Sequence, residues 1–152
     1  MKTSRRVLSH PFVVLLSLTL AGSLAVAAGD GPTYRVTVTN LTQGQVFSPP
    51  LVVAHDAGVA LFEEGAPASG GLAALAEDGQ TQPLSEALAG MSGIRGTATA
   101  DGPIPPGASR SVEVQATGGR ALVSALGMLV QTNDSFFFGR VAGLPDAAVL
   151  VP

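Results

Sequence analysis

The segment Tyr34-Arg35-Val36-Thr37-Val38-Thr39-Asn40 alternates apolar and polar side chains and is rich in β-formers. A period of two puts one face in a core and the other in water, so this run predicts the first strand of a sheet. Gln43-Gly44-Gln45 turns the chain and Ser48-Pro49-Pro50 breaks it; Leu51-Val52-Val53-Ala54 then predicts a short apolar strand, and Val59-Ala60-Leu61-Phe62 another extended piece. Here the period changes. Between Gly70 and Gly79, Leu72, Ala73, Leu75 and Ala76 form one apolar stripe, and Leu84, Leu88 and Met91 repeat it between Gln82 and Met91. Two short helices are therefore expected on a connection between strands.

Gly93 to Ala100 reads as a strand, followed by the stiff turns Asp101-Gly102-Pro103 and Pro105-Pro106-Gly107. Ser109 to Thr117 alternates strictly, Gly118-Gly119 has the composition of a two-residue hairpin turn, and Ala121 to Val130 is a mostly apolar return strand. The return strand's lack of alternation predicts burial on both faces, with Gly127 marking a bulge or a close contact. Thr132-Asn133-Asp134-Ser135 is a polar loop, after which come Phe136-Phe137-Phe138-Gly139 and a last apolar run, Ala147 to Val151. Short β-runs separated by turns, with two inserted helices, predict a mainly β fold, an antiparallel β-sandwich. No tandem repeat is present.

The first 28 residues have a different character. Lys2, Arg5 and Arg6 precede a nearly charge-free apolar stretch from Pro11 to Val26, and Ala25-Val26-Ala27-Ala28 offers small residues for cleavage. This is the layout of a signal peptide. An uncleaved anchor would need about 20 apolar residues, slightly more than this stretch holds. Once these residues are removed, five arginines face eleven acids, a balance of −6 with no lysine. Such a surface repels phosphate backbones, which excludes nucleic acid as the favoured partner, and it tolerates divalent cations.

The chain has 152 residues, 46% of them hydrophobic, room for one domain. With no cysteine, disulfides, thiolate metal sites and cysteine nucleophiles are all excluded. Beyond residue 28 a single histidine remains, His55, and no H-E-x-x-H, P-loop or G-x-S-x-G motif occurs. His55 and Asp56 are adjacent, so on an extended segment they point to opposite faces and do not build a triad together. Asn133-Asp134-Ser135 is the polar cluster best suited to hard-cation ligation. One carboxylate is too few for calcium; Asp56, Asp101 and Asp146 are the partners that residue type suggests, and an Asx turn is the plainer alternative. Glu63-Glu64 and Glu77-Asp78 read as solvated surface. The three consecutive phenylalanines cannot all face one way in a strand, which leaves at least one ring near solvent or under a loop.

Four blocks in order carry a resemblance. They are Tyr34 to Asn40, Pro49-Pro50-Leu51-Val52-Val53-Ala54-His55-Asp56, the stretch Ala68-Ser69-Gly70-Gly71-Leu72 through Ala76-Glu77-Asp78-Gly79, and Thr132-Asn133-Asp134-Ser135-Phe136-Phe137. Together they resemble the spondin N-terminal domain family in its bacterial exported form. The resemblance implies a C2-like β-sandwich over residues 29–152 behind a signal peptide at 1–28. It also implies a non-enzymatic adhesion module, secreted or periplasmic, whose partner is an extracellular or cell-surface protein, with no stable membrane insertion after cleavage. Asp134 occupies the place of the aspartate in the family's serine-proline-aspartate-tryptophan loop, which implies a Ca²⁺ ion held with Asp134 as a ligand. Ser135 stands in place of the tryptophan, and the family's tyrosine-aspartate-alanine-glycine segment falls beyond Pro152, implying a domain without its C-terminal strands. Two alternatives stay open: an exported small-substrate hydrolase using His55 with Ser48 or Ser135, and a structural envelope protein with no specific ligand.

Overall fold

Strand β2 (Leu51–His55) is buried at every position, so neither of its faces meets water. A strand of this kind must sit inside a sheet that is covered on both sides. The structure, a computed structural model, describes residues 31–143 and 146–151; the expected signal peptide at 1–28 lies outside them. In it β2 is flanked by β3 (Ile94–Thr99) and β5 (Leu122–Met128), and β6 (Phe136–Ala142) completes a four-stranded antiparallel sheet in the order β3-β2-β5-β6.

The two covers are built differently. On one side lies a three-stranded sheet, β4-β1-β7, made of β1 (Thr33–Asn40), β4 (Ser109–Gln115) and β7 (Asp146–Val151). Its inward residues Tyr34, Val36, Val38, Val112 and Val114 meet Val52, Ala54, Val123 and Ala125 in the main core. On the other side, α1 (Gly70–Asp78) and α2 (Gln82–Ala89) bring Leu72, Leu75, Leu84 and Leu88 onto Leu51, Val53 and Leu126. Ser69 caps α1, its hydroxyl accepting from the Leu72 N–H at 3.2 Å. Both helices fall where the apolar stripes predict them. Among the described residues no helix is long and apolar enough to cross a membrane.

The sandwich agrees with the expected fold class, and three details differ. Gly118-Gly119 does not close a hairpin: β4 pairs with β1, whereas β5 pairs with β2 and β6. The reason lies in the strands. β4 has one wet face and suits the outer sheet, while β5, apolar on both faces, belongs inside, so the link between them must cross from one sheet to the other. Gly118, at φ 80°, supplies the left-handed residue of that crossing. The link is held by the Thr117 N–H donating to the Arg95 carbonyl at 3.0 Å and the Ala116 N–H donating to the Pro32 carbonyl at 2.9 Å.

Val59 to Phe62 is the second difference, forming bends rather than a strand within a loop that covers the helix side of the inner sheet. The third is β7, which runs parallel to β1. β6 ends beside the start of β1, where the Gly143 N–H donates to the Ala121 carbonyl and the Ala121 N–H donates to Tyr34 Oη. A strand setting out from that end to join β1 shares its direction.

Gly127 marks a close contact, not a bulge. It pairs with Phe137, and a Cβ there would lie 2.6 Å from that ring and 3.3 Å from the Ser48 carbonyl oxygen. The absent side chain lets Phe137 lie flat across β5 and reach Phe47, with ring centroids 4.6 Å apart. Gly127→Val is expected to lower folding stability by about 1–3 kcal/mol through overpacking. Urea unfolding reads this as a lower midpoint at unchanged m-value, and an unchanged midpoint would contradict the contact.

Candidate functional site

His55 lies at the end of β2 with 1% of its surface exposed, on the face that looks away from the main core. Its Nδ1 is 2.9 Å from the Asp56 carbonyl oxygen and its Nε2 is 2.8 Å from Ser124 Oγ. A carbonyl only accepts, so Nδ1 carries the proton and Nε2 accepts from the serine hydroxyl. The tautomer and partner are those of a nucleophile–base pair. Burial gives the pair another role. Ser124 is 0% exposed inside β5, so no acyl carbon reaches its hydroxyl, and the bond ties the two central strands together. Neither serine named with His55 in the hydrolase alternative is its partner here: Ser48 Oγ accepts from the Met128 N–H at 2.8 Å, and Ser135 sits in the 129–135 loop.

Asp56 itself is engaged. Arg95 on β3 reaches it at 2.8 Å, and a guanidinium nitrogen of the same arginine also donates to the Thr117 carbonyl at 3.3 Å. With both side chains partly exposed, this pair contributes at most about 1 kcal/mol. Its chief effect is positional, joining the end of β2 to the link between the sheets.

Asp134 is exposed in the β5–β6 hairpin loop. Thr132, not Asp134, organises that loop: its hydroxyl donates to the Leu129 carbonyl at 2.7 Å and accepts from the Ser135 N–H at 3.2 Å. The carboxylates suggested as partners stand elsewhere. Asp56 follows β2 at the far end of the sheet, about 20 Å away along the seven residues of β5. Asp101 follows β3 at the opposite edge and binds Arg110 at 3.0 Å. The backbone of Asp146 pairs with Arg35 near the start of β1, again at the end away from Asp134. Among the described residues no three of His, Asp and Glu come together as a metal site.

What the outer face does assemble is an aromatic groove. Phe137 points inward, so Phe136 and Phe138 point outward from β6, as the triplet requires. Phe62, from the loop after β2, stands edge-on to both, with centroids 5.3 and 5.0 Å away at 89°. Such pairs are worth about 0.5–1.5 kcal/mol beyond the area they bury, enough to seat a loop that has few other anchors. Phe62 divides two adjoining depressions. The larger, of about 450 Å³, has Leu72 and Phe136 among its apolar lining and Glu63 and Glu64 among its polar residues. The smaller, of about 190 Å³, runs past His55 to Phe138 and Arg140. Phe138 remains 39% exposed, an aromatic ring open to water.

Sequence reading found Phe136 to Phe138 and His55 but missed Ser124 and Phe62. Ser124 was marked by one clue, a lone hydroxyl in a strand buried on both sides, which must find a polar partner. A scan against protein-family models finds no match, and neither do searches of curated proteins and of solved structures.

Ser124→Ala leaves His55 Nε2 buried without a donor and is expected to cost about 1–3 kcal/mol of stability. The double variant His55→Leu/Ser124→Ala should cost less than the two single changes combined, because it removes both polar groups. Additive losses in chemical denaturation would show that the two residues do not act as a pair.

Proposed function

We propose that this chain is an exported, non-enzymatic binding module of the spondin-like kind, acting outside the cell or in the periplasm on a protein partner. The observation that carries this is the groove, in which Phe62 lines both the 450 Å³ depression and the smaller one, where the Phe138 ring is exposed. Recognition sites of this size are concave and mostly apolar, with a few polar groups at fixed positions. The two stacked sheets are compatible with the β-sandwich that the resemblance implies, and the spondin-like part of the reading rests on that resemblance alone.

The hydrolase alternative has the His55–Ser124 bond in its favour and the complete burial of Ser124 against it. Calcium enters through the resemblance alone. The ion takes six to eight oxygens, and the described carboxylates do not converge on Asp134, so the residues fit it poorly and no part of the recognition is routed through it.

Two measurements test this. In a host exporting the protein, Phe138→Asp should reduce the fraction retained on washed cells by about tenfold, equivalent to about 1.4 kcal/mol of binding, while Ser124→Ala, if folded, retains it. A hydrolytic activity that His55→Ala loses while keeping its fold would favour the enzyme, and cell retention of both variants the structural envelope protein. For the metal, the expected outcome is the same melting temperature in calcium and in EGTA. A calcium-dependent rise that Asp134→Ala abolishes would restore the ion.

A further inference from the structure

We propose that the groove takes a basic peptide segment of its partner, an extended stretch in which an apolar anchor residue is flanked by lysine or arginine. This deepens the binding role given above and rests on it. The depression has an apolar floor, including Leu72 and Phe136, of a size for one or two side chains. Its polar residues are chiefly two adjacent carboxylates, Glu63 and Glu64, both exposed and neither in an ion pair among the described residues. The three ion pairs of the described residues use Asp56, Asp101 and Glu113 instead, so these two charges are free to meet an incoming cation.

A second feature selects the same charge. Glu64 lines both depressions and shares the smaller one with the exposed Phe138 ring, and such rings attract ammonium and guanidinium groups. Arg140 ends the smaller depression and sets the polarity of the bound segment. Cationic residues belong on the Glu63–Glu64 side, and a neutral or acidic residue towards Arg140. The balance of −6 beyond residue 28 speaks against an anionic lipid surface and in favour of a basic protein segment.

The test uses the full chain and three fluorescein-labelled peptides sharing a leucine–phenylalanine centre, flanked by lysines, by glutamines or by glutamates. Fluorescence anisotropy should show the lysine peptide binding most tightly, and E63Q/E64Q weakening it by at least about fivefold, with a similar loss at high salt. Both glutamates are exposed, so the variant keeps the fold. Equal affinity for the glutamine or glutamate peptide, an unchanged affinity in E63Q/E64Q, or co-sedimentation of the protein itself with phosphatidylglycerol vesicles in the absence of peptide would overturn the proposal. So would self-association in sedimentation that E63Q/E64Q abolishes. If Phe138→Asp weakens all three peptides equally while E63Q/E64Q weakens none, the partner class is wrong and the binding role stands. If no peptide binds and Phe138→Asp also leaves cell retention unchanged, the binding role fails with it.

Discussion

The whole structure answers one constraint, that β2, and β5 from Val123 to Met128, are buried on both faces. The four apolar residues of β2 divide strictly between two environments, Val52 and Ala54 into the space between the sheets, Leu51 and Val53 under the helices. Each face needs its own cover. The three-stranded sheet supplies one, and the pair of short helices with the loop that precedes them supplies the other. Neither helix is long enough to be stable alone in water; each is held by what it covers. Of the two outward rings of β6, Phe136 reaches the edge of the helix-side core, and Phe138 is left to Phe62 and to solvent. The groove is the place where this second cover runs out.

Much of this was legible in the sequence, because periodicity is a local property. The strict alternation from Tyr34 to Asn40 and from Ser109 to Gln115 matches strands with one wet face, and the Leu72–Leu75 and Leu84–Leu88 spacings match the buried sides of α1 and α2. Pairing was not legible. Gly118-Gly119 has the composition of a tight turn, yet what decides its course is whether the flanking strands need one cover or two. That is a property of the assembled layers. The same holds for Val59 to Phe62, whose apolar run serves a loop that packs through Phe62 rather than a strand. The candidate site was half visible: the phenylalanine triplet announced an outward ring, while the partners that frame it lie some 70 residues away in sequence.

Buried polar groups tie the two ends of the sandwich together. Among the described residues no buried side-chain nitrogen or oxygen lacks a partner. His55 and Ser124 hold one end of the central strands. At the other end Asn40, 0% exposed, donates to the Gln45 and Ile104 carbonyls at 2.7 and 2.9 Å and accepts from both the N–H and the hydroxyl of Thr42. A residue that fills its hydrogen-bonding capacity in this way joins two loops, the β1–β2 and β3–β4 connections. These groups are spent on architecture, and the aromatic groove is formed instead by the surface of the 57–69 loop and β6.

The outer face of the three-stranded sheet has a different character. Thr37 meets Ser111 and Thr39 meets Ser109 at 2.8 Å, and Arg35 meets Glu113, so that β1 and β4 present a ladder of paired hydroxyls ending in one balanced ion pair. Uncharged hydroxyls hold their water equally well in brine and in fresh water. Added salt therefore passes the Thr37–Ser111 and Thr39–Ser109 pairs by, and along this stretch of β1 and β4 it screens only the exposed Arg35–Glu113 contact.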